Sequence, residues 1–216
     1  TYRIQFNRAF RFCDAKAIVA YLHDLGISDC YASPVLKTPA DSDNGYDVCD
    51  HSQLNPVLGS EDDFEAFTST LKKHGLGLIL DIVPNHMCIG QTNAWWTDVL
   101  ENGPSSSYAY YFDIDWHPVN PQLENKVLLS ILEDQYGNVL EDGKLRLAYE
   151  DGAFFIYYYE NKLPLTPRSY SSILEHRLDR LAETLGKDNE SLQELQSILT
   201  AISYLPGRTE SEPEKL

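Results

Sequence analysis

The chain has 216 residues, of which 43% are hydrophobic and 12% aromatic, a composition typical of a globular protein with a sizeable core. Its formal net charge of -16 comes from 33 acidic and 17 basic residues. Such a charge repels nucleic-acid phosphates and anionic lipid surfaces, which excludes nucleic acid and membranes as partners. A neutral ligand such as a sugar stays compatible with it, although acidity also simply keeps a protein soluble.

No segment approaches the roughly 20 apolar residues of a membrane span, and the first residues lack the features of a secretion signal. The absence of an initiator Met leads us to expect a chain that starts within a longer one. Cys13, Cys30, Cys49 and Cys88 are scattered and form no Cys-x-x-Cys pair. We expect four free thiols in a reducing cytoplasm, with no disulfide, no metal site and no cofactor.

Strand and helix signals alternate over the first part of the chain. Residues 2–6 alternate with period two and predict a strand. Asp14 is expected to cap a helix that ends at Gly26, and a second strand is predicted at residues 27–33. These three elements follow one another in the order of a βαβ unit.

The next helix and strand complete this alternation. Ser60 followed by Asp63 resembles a capping box, and the helix that they start is expected to stop at Gly75. The side chains expected to face inward are Phe64, Phe67 and Leu71. Residues 76–83 are nearly all apolar, as in a parallel strand buried on both faces. The spacing alone fits a doubly wound sheet and a barrel equally well.

A different pattern follows this alternation. Residues 88–135 are rich in aromatic, Asn, Pro and Ser side chains, among which Trp95 and Trp96 are expected to pack rather than to bind sugar. Two alternating runs, residues 144–149 and 153–159, flank a Glu-Asp-Gly turn and predict a β-hairpin.

Two amphipathic helices are predicted after the hairpin, at residues 171–185 and 188–204. The charged tail, residues 209–216, is expected to fray. The patterns divide the chain into residues 1–87 with βα order, an inserted aromatic-rich part at 88–170 with the hairpin, and a helical part with the tail at 171–216.

Polar residues collect where two of the predicted strands end, which is where functional groups gather in βα folds. Asp81 interrupts an apolar strand and needs a partner if it is buried. Asn85 and His86 leave the end of the same strand, and Tyr46 with Asp47 lies in the loop after the preceding strand. Singly, each has an ordinary structural explanation, such as a turn residue or a hydrogen-bonded histidine.

These segments resemble the α-amylase superfamily, glycoside hydrolase family 13. Residues 81–86 match its Asp-x-x-x-Asn-His region, and residues 45–50 resemble its Gly-Tyr-Asp segment. The finer resemblance is to the maltooligosyltrehalose synthase subfamily. It is carried by residues 2–6, 31–34, 78–87, 112–116 and 162–170.

The resemblance implies a fold and a set of roles. The fold is the N-terminal part of a (β/α)8 barrel, about three strands, with a small β-containing insertion after the third. Tyr46 is implied to stack on a sugar ring, and Asp47 and His86 to hydrogen-bond sugar hydroxyls. Asn85 and Asp81 are implied to organise the rim of this site.

The resemblance also implies the reaction, in which the reducing-end α-1,4 linkage of a maltooligosaccharide becomes an α,α-1,1 linkage through a covalent glycosyl-enzyme. The family nucleophile follows Gly-x-Arg-x, a pattern missing here, and Asp179 after Arg177 is expected to be a solvated helix residue. We therefore expect the catalytic carboxylates beyond residue 216 and an inactive fragment. We also expect the fragment to self-associate, to pack against a partner or to be marginally stable. The alternatives are an α-glucan hydrolase or glucosidase of the same superfamily, and a noncatalytic sugar-binding module.

Overall fold

A computed structural model describes residues 1–186 and 188–209. The chain forms two compact units, which divide after Ala94. Of the predicted frayed tail, all but Thr209 lies outside the described residues. Within the described part of the chain, no helix combines the length and the apolar character that crossing a bilayer requires.

The first unit is a mixed α/β structure. Its elements are β1 (Tyr2–Ile4), α1 (Phe12–Ala17), α2 (Val19–Asp24), β2 (Asp29–Ala32), β3 (Leu36–Lys37), β4 (Asp50–Leu54), α3 (Glu61–Lys73) and β5 (Gly77–Leu80). Strands β1, β2 and β5 form a parallel sheet in that order, and β3 pairs with β4 in a small antiparallel sheet. The three predicted strands and the parallel order are thus confirmed, and the described strands form an open sheet rather than a closed barrel.

The core of this unit lies between one face of the parallel sheet and the helices. It contains Ile4, Phe6, Phe12, Ala15, Val19, Leu22, Cys30, Ala32, Val35, Leu58, Phe67, Leu71 and Leu76. Phe6 is central, because its ring contacts Phe12 and Phe67 edge-on with centroids 5.2 and 5.9 Å away. Each fully buried Phe side chain contributes roughly 1.5–3 kcal/mol, so this cluster is a main source of stability.

The prediction that residues 76–83 form a strand buried on both faces is wrong. Strand β5 is shorter, and Ile79 and Leu80 keep 46% and 43% of their surface exposed. These side chains are exposed because of where β5 lies in the sheet. It pairs with β2 on one side and forms the edge of the described sheet on the other. Local hydrophobicity cannot reveal which strand of a sheet lies at its edge.

The helix starts differ in one case from the sequence prediction. Asp14 is not the N-cap but the third residue of α1, where its carboxylate accepts a hydrogen bond from the Arg11 backbone N–H at 2.8 Å. The predicted long helix also divides at Ile18 into α1 and α2. The Ser60 cap of α3 is confirmed, because Ser60 Oγ accepts from the Asp63 N–H at 3.1 Å and the Asp63 carboxylate accepts from the Ser60 N–H at 2.9 Å.

The second unit combines helices with a small antiparallel sheet. Its elements are α4 (Ala94–Asn102), α5 (Tyr136–Glu141), β6 (Arg146–Glu150), β7 (Ala153–Tyr158), β8 (Asn161–Pro164), α6 (Tyr170–Leu174), α7 (Leu178–Leu185) and α8 (Glu190–Ser203), with short 3-10 turns between some of them. Its buried side chains include Trp96, Val99, Val139, Tyr158 and Leu192.

The predicted hairpin is confirmed as β6 and β7, joined by Asp151 and Gly152 at φ 50° and 85°. Positive φ at both central residues is the type I′ turn that an Asp-Gly pair favours. The structure adds a third strand, β8, which pairs with β7 across Tyr159-Glu160. That turn has no glycine or asparagine at its centre, and Tyr159 has a φ of 50°, so the sequence carries no signal for it.

The helix predicted at residues 171–185 is interrupted. Arg177 lies in the left-handed region at φ 60° and separates α6 from α7. A non-glycine residue in this region costs of order 1–3 kcal/mol, so tertiary contacts such as the packing of α6 against α8 must offset it. The second predicted helix is confirmed as α8, where the Asn189 side chain caps the N-terminus.

Candidate active-site rim

Asp81 is the centre of a polar network at the carboxyl end of the parallel sheet. Its Oδ2 accepts a hydrogen bond from the Tyr31 hydroxyl at 2.9 Å and from the Tyr46 hydroxyl at 2.5 Å. Arg3 completes the network, with its Nη1 3.6 Å from the same oxygen and its Nη2 donating to the Tyr46 hydroxyl at 3.2 Å. The network therefore joins three strands and the loop between β3 and β4.

The register of the sheet explains why these residues meet. Arg3 pairs with Tyr31, and Tyr31 pairs with Ile79, so the three form a row across one face. Side chains alternate along a strand, and Asp81, two residues after Ile79, extends from the same face beside Tyr31. The Arg3 guanidinium also lies over the Tyr31 ring, 5.0 Å from its centroid.

The network fixes the charge state of Asp81. The hydrogen bond from Tyr46 lowers the pKa of Asp81 most, and those from Tyr31 and Arg3 lower it further, against the opposing effect of partial burial. The same contacts raise the pKa of Arg3, mainly through Tyr46, and that of Tyr31, mainly through Asp81. Asp81 is therefore an ionised acceptor at neutral pH and is unsuited to donate a proton.

His86 and Asn85 lie next to this network. His86 Nε2 is 3.0 Å from the Tyr46 carbonyl oxygen, and its Nδ1 is 3.0 Å from Asn85 Oδ1. Both residues are exposed, so they present an imidazole and an amide to solvent at the rim. The loop with Tyr46 and the segment after β5 are thus held side by side.

A tight turn places Tyr46. Gly45 has a φ of 82°, and a Cβ there would lie 2.9 Å from the Pro34 carbonyl oxygen, so glycine is required on both counts. Asn44 supports the turn, because its Oδ1 accepts from the Tyr46 N–H at 2.9 Å. The Tyr46 ring is half-buried, and its hydroxyl is tied to Asp81.

The structure brings together four of the five predicted site residues, Tyr46, Asp81, Asn85 and His86. Asp47 lies on the same loop, where its carboxylate accepts a short hydrogen bond from Ser42. Sequence reasoning missed Arg3 and Tyr31 as members of the network. Only the strand register could have identified these two residues. The alignment of β1 with β2 places Arg3 beside Tyr31, which faces Asp81.

The rim is suited to bind a neutral polar ligand. It offers an aromatic ring at Tyr46 and hydrogen-bond acceptors at Asp81 and Asp47. Asn85 and His86 add side chains that can both donate and accept hydrogen bonds. Within residues 1–186 and 188–209, no group of three or more His, Cys, Asp or Glu side chains is placed to hold a metal ion. Asp179 is an exposed residue in the first turn of α7, as expected for a solvated helix position.

Comparison with known proteins decides the family. The family model for the α-amylase catalytic domain matches residues 16–165 of this sequence, which include most of this rim. The chain belongs to the α-amylase family. The matched region spans the segments around Tyr46 and Asp81 that resemble family 13 glycoside hydrolases.

Individual members of the α-amylase family resemble this chain over different lengths. A putative maltooligosyl trehalose synthase of Mycobacterium tuberculosis is 40% identical over 154 residues, which is 67% of this chain and 20% of that protein. The intracellular maltogenic amylase of Bacillus subtilis is 36% identical over 99 residues, 46% of this chain and 16% of that protein. The chain therefore spans a fifth or less of the length of these two curated relatives.

Solved structures agree with the sequence relatives. The maltooligosyltrehalose synthase from Arthrobacter ramosus superposes with a TM-score of 0.66 at 37% identity, covering 76% of this chain and 21% of that one. A crystal structure of a maltooligosyl trehalose synthase gives a TM-score of 0.71 at 39% identity, covering 76% of this chain and 22% of that one. The observed α/β structure thus matches part of an amylase-family catalytic domain.

Proposed function

We propose that this chain forms one wall of the substrate site of a maltooligosyltrehalose synthase. The observation that carries the proposal is the convergence of Tyr46, Asp81 and His86, which joins two chain segments at the end of a parallel sheet. The 40% identity to a putative maltooligosyl trehalose synthase supports the choice of enzyme within the family.

The proposal assigns a role to each rim residue. Tyr46 stacks against the apolar face of a glucosyl ring, and Asp47 and His86 hydrogen-bond its hydroxyls. Asp81 and Asn85 act on the sugar indirectly, since Asp81 holds the Tyr46 hydroxyl and Asn85 holds the His86 ring. The substrate is a maltooligosaccharide, a neutral ligand that the chain's acidic charge does not repel.

The described strands and helices also have places in the proposed barrel. Strands β1, β2 and β5 are the first three strands of a (β/α)8 barrel, and residues 1–87 are the first part of that barrel. Residues 88–170 form an insertion that contains the sheet of β6, β7 and β8, and residues 171–216 are a helical segment with a tail. The exposed edge of β5 is where a fourth barrel strand pairs.

The chemistry requires groups that these residues do not supply. A retaining mechanism needs two carboxyl groups about 5–5.5 Å apart, a nucleophile and a general acid/base. No Gly-x-Arg-x-Asp pattern occurs in the sequence, so the proposal places both carboxylates outside residues 1–216. In the proposed reaction the nucleophile displaces the reducing-end glucose, whose O4 the general acid protonates, and forms a covalent glycosyl-enzyme. The anomeric hydroxyl of that glucose, deprotonated by the same acid/base group, then attacks the sugar and releases the nucleophile, while the site keeps water out to avoid hydrolysis.

The test compares this chain with the longer protein that the proposal requires. Each is incubated with maltohexaose and followed by anomeric proton NMR and a reducing-end assay. The longer protein is expected to lose reducing ends and to gain an α,α-1,1 signal with little free glucose. The 216-residue chain is expected to show no turnover, and measurable turnover by it would contradict the proposal.

An α-glucan hydrolase is the second candidate. It is favoured by the 36% identity to an intracellular maltogenic amylase. A rise in reducing ends in the same experiment identifies the hydrolase. No change with the longer protein points to a noncatalytic sugar-binding module.

A further inference from the structure

Two cysteines lie on the segments that form the rim. Cys49 follows Tyr46 by three residues, and Cys88 follows His86 by two. The Cys88 N–H donates to the Val48 carbonyl oxygen at 2.9 Å, and His86 Nε2 lies 3.0 Å from the Tyr46 carbonyl oxygen. The two segments therefore run side by side from the sugar-facing residues to the two thiols.

This backbone hydrogen bond limits how far apart the two cysteines can lie. With standard bond lengths, it limits the separation of the Cys49 and Cys88 Cα atoms to about 7 Å, and a bent geometry shortens it. Disulfides join Cα atoms roughly 4.4–6.8 Å apart. After burial, Cys88 is one of the lesser causes of the raised pKa of Cys49, which agrees with this proximity.

The surroundings give the two thiols different roles. Cys88 is half-buried, so an oxidant can reach it, and the Gly90 N–H donates to its Sγ at 3.2 Å. Cys49 is 2% exposed, and burial raises its pKa. Cys88 is therefore the thiol that an external oxidant meets first, and Cys49 the thiol that can resolve the product.

We propose that Cys49 and Cys88 are a redox modification site, where a reversible disulfide ties the Tyr46 loop to the His86 segment. The oxidant is a low-molecular-weight disulfide such as glutathione disulfide. The Cys88 thiolate attacks one sulfur of glutathione disulfide, releases one glutathione and forms a mixed disulfide with the other. The Cys49 thiolate then attacks Cys88 Sγ, forms the Cys49–Cys88 disulfide and releases the second glutathione. The two protein thiols lose two electrons and two protons, which reduce glutathione disulfide to two glutathione thiols.

Peptide mapping of the whole chain tests this site. Trypsin places the four cysteines in four different peptides, because Lys16, Lys37, Lys72 and Lys73 separate them. After incubation with glutathione disulfide and alkylation without reductant, we expect one cross-linked species that joins the Cys49 and Cys88 peptides. Dithiothreitol is expected to remove it, and formation is expected to accelerate as pH rises, since Cys49 must deprotonate to attack.

Three variants separate the outcomes. Cys88→Ser is expected to abolish the cross-link and leave Cys49 unmodified. In Cys49→Ser the reaction is expected to stop at the mixed disulfide between glutathione and Cys88. Cys13→Ser is expected to leave the cross-link unchanged. The proposal is overturned if wild-type Cys88 stays glutathionylated while Cys49 remains alkylatable, or if Cys13 or Cys30 is cross-linked in equal yield. These results do not depend on sugar binding or catalysis.

Discussion

Asp81 in the first unit and Glu150 in the second are carboxylates with similar hydrogen-bond partners. They differ in how far those partners lie along the sequence. Asp81 accepts from the hydroxyls of Tyr31 and Tyr46 and pairs with Arg3, all far from it in the sequence. Glu150 accepts from the Tyr157 hydroxyl at 2.9 Å and from Lys162 at 2.8 Å, both within the antiparallel sheet. In both carboxylates the hydrogen bonds lower the pKa, chiefly that from Tyr46 for Asp81 and that from Lys162 for Glu150.

The difference shows that the type of contact does not identify a functional site. The Glu150 contacts link neighbouring strands and stabilise the sheet of β6, β7 and β8 locally. The Asp81 contacts join separate elements and end beside the exposed side chains of Asn85 and His86. We propose that Asp81 organises this rim, and variants of each unit can test the contrast.

The largest effect is expected from the core that supports the Asp81 network. Phe67→Ala removes a fully buried ring that contacts Phe6, and should lower the free energy of unfolding of the first unit by about 3–5 kcal/mol. Denaturant unfolding followed by NMR should show the Arg3, Tyr31 and Tyr46 signals lost at lower denaturant. Loss of the Glu150 and Lys162 signals at an equally reduced denaturant concentration would contradict the local role of the Glu150 contacts.

Gly45→Ala is expected to have the next largest effect. The substitution combines a left-handed φ with a clash against the Pro34 carbonyl oxygen, and should cost about 2–3 kcal/mol of unfolding free energy and displace Tyr46. Gly26→Ala is the matched control, since Gly26 has a φ of 83° and no atom lies within 4 Å of the position that an added methyl group would take. Equal losses in both variants would show that the contact with Pro34 is unimportant.

Asp81→Asn should have a smaller effect on stability. It removes the charge that Arg3 and two hydroxyls contact and should lower the unfolding free energy by about 1 kcal/mol, because solvent screens the partly exposed pair. Glu150→Gln is the comparison variant in the second unit and should leave Tyr46 in place. Thermal unfolding together with the Tyr46 ring signals measures both, and an unmoved Tyr46 ring in Asp81→Asn would argue against the organising role.

The smallest effect is expected in the pH dependence of stability. Because the folded state lowers the pKa of Asp81, this residue contributes stability above its unfolded pKa, and the contribution is lost as pH falls through the folded pKa. Tyr46→Phe removes the largest cause of the lowering, so the contribution should be smaller and its loss should be complete at a less acidic pH than in the wild type. Carboxyl NMR titration of Asp81 measures the shift, and Tyr31→Phe should move it less.

Local sequence signals predicted much of this structure. The Ser60 cap, the Asp-Gly hairpin and the polar residues after β5 could be recognised because each depends on neighbouring residues. The position of β5 at a sheet edge, the turn at Tyr159 and the left-handed Arg177 depend on tertiary contacts that no local pattern encodes. Arg3 and Tyr31 were missed for the same reason, since strand register brings them to Asp81.

The most direct test of the sugar-binding rim is an NMR titration of the 216-residue chain with maltohexaose. We expect chemical-shift changes concentrated at residues 44–47 and 81–86. Maltohexaose should bind Tyr46→Ala about tenfold more weakly, because the variant loses one good stacking contact. Tyr110→Ala is the control, because Tyr110 is an aromatic residue of the second unit with 92% of its surface exposed. Shifts confined to residues after Ala94, or wild-type affinity in Tyr46→Ala, would show that this rim does not bind the sugar.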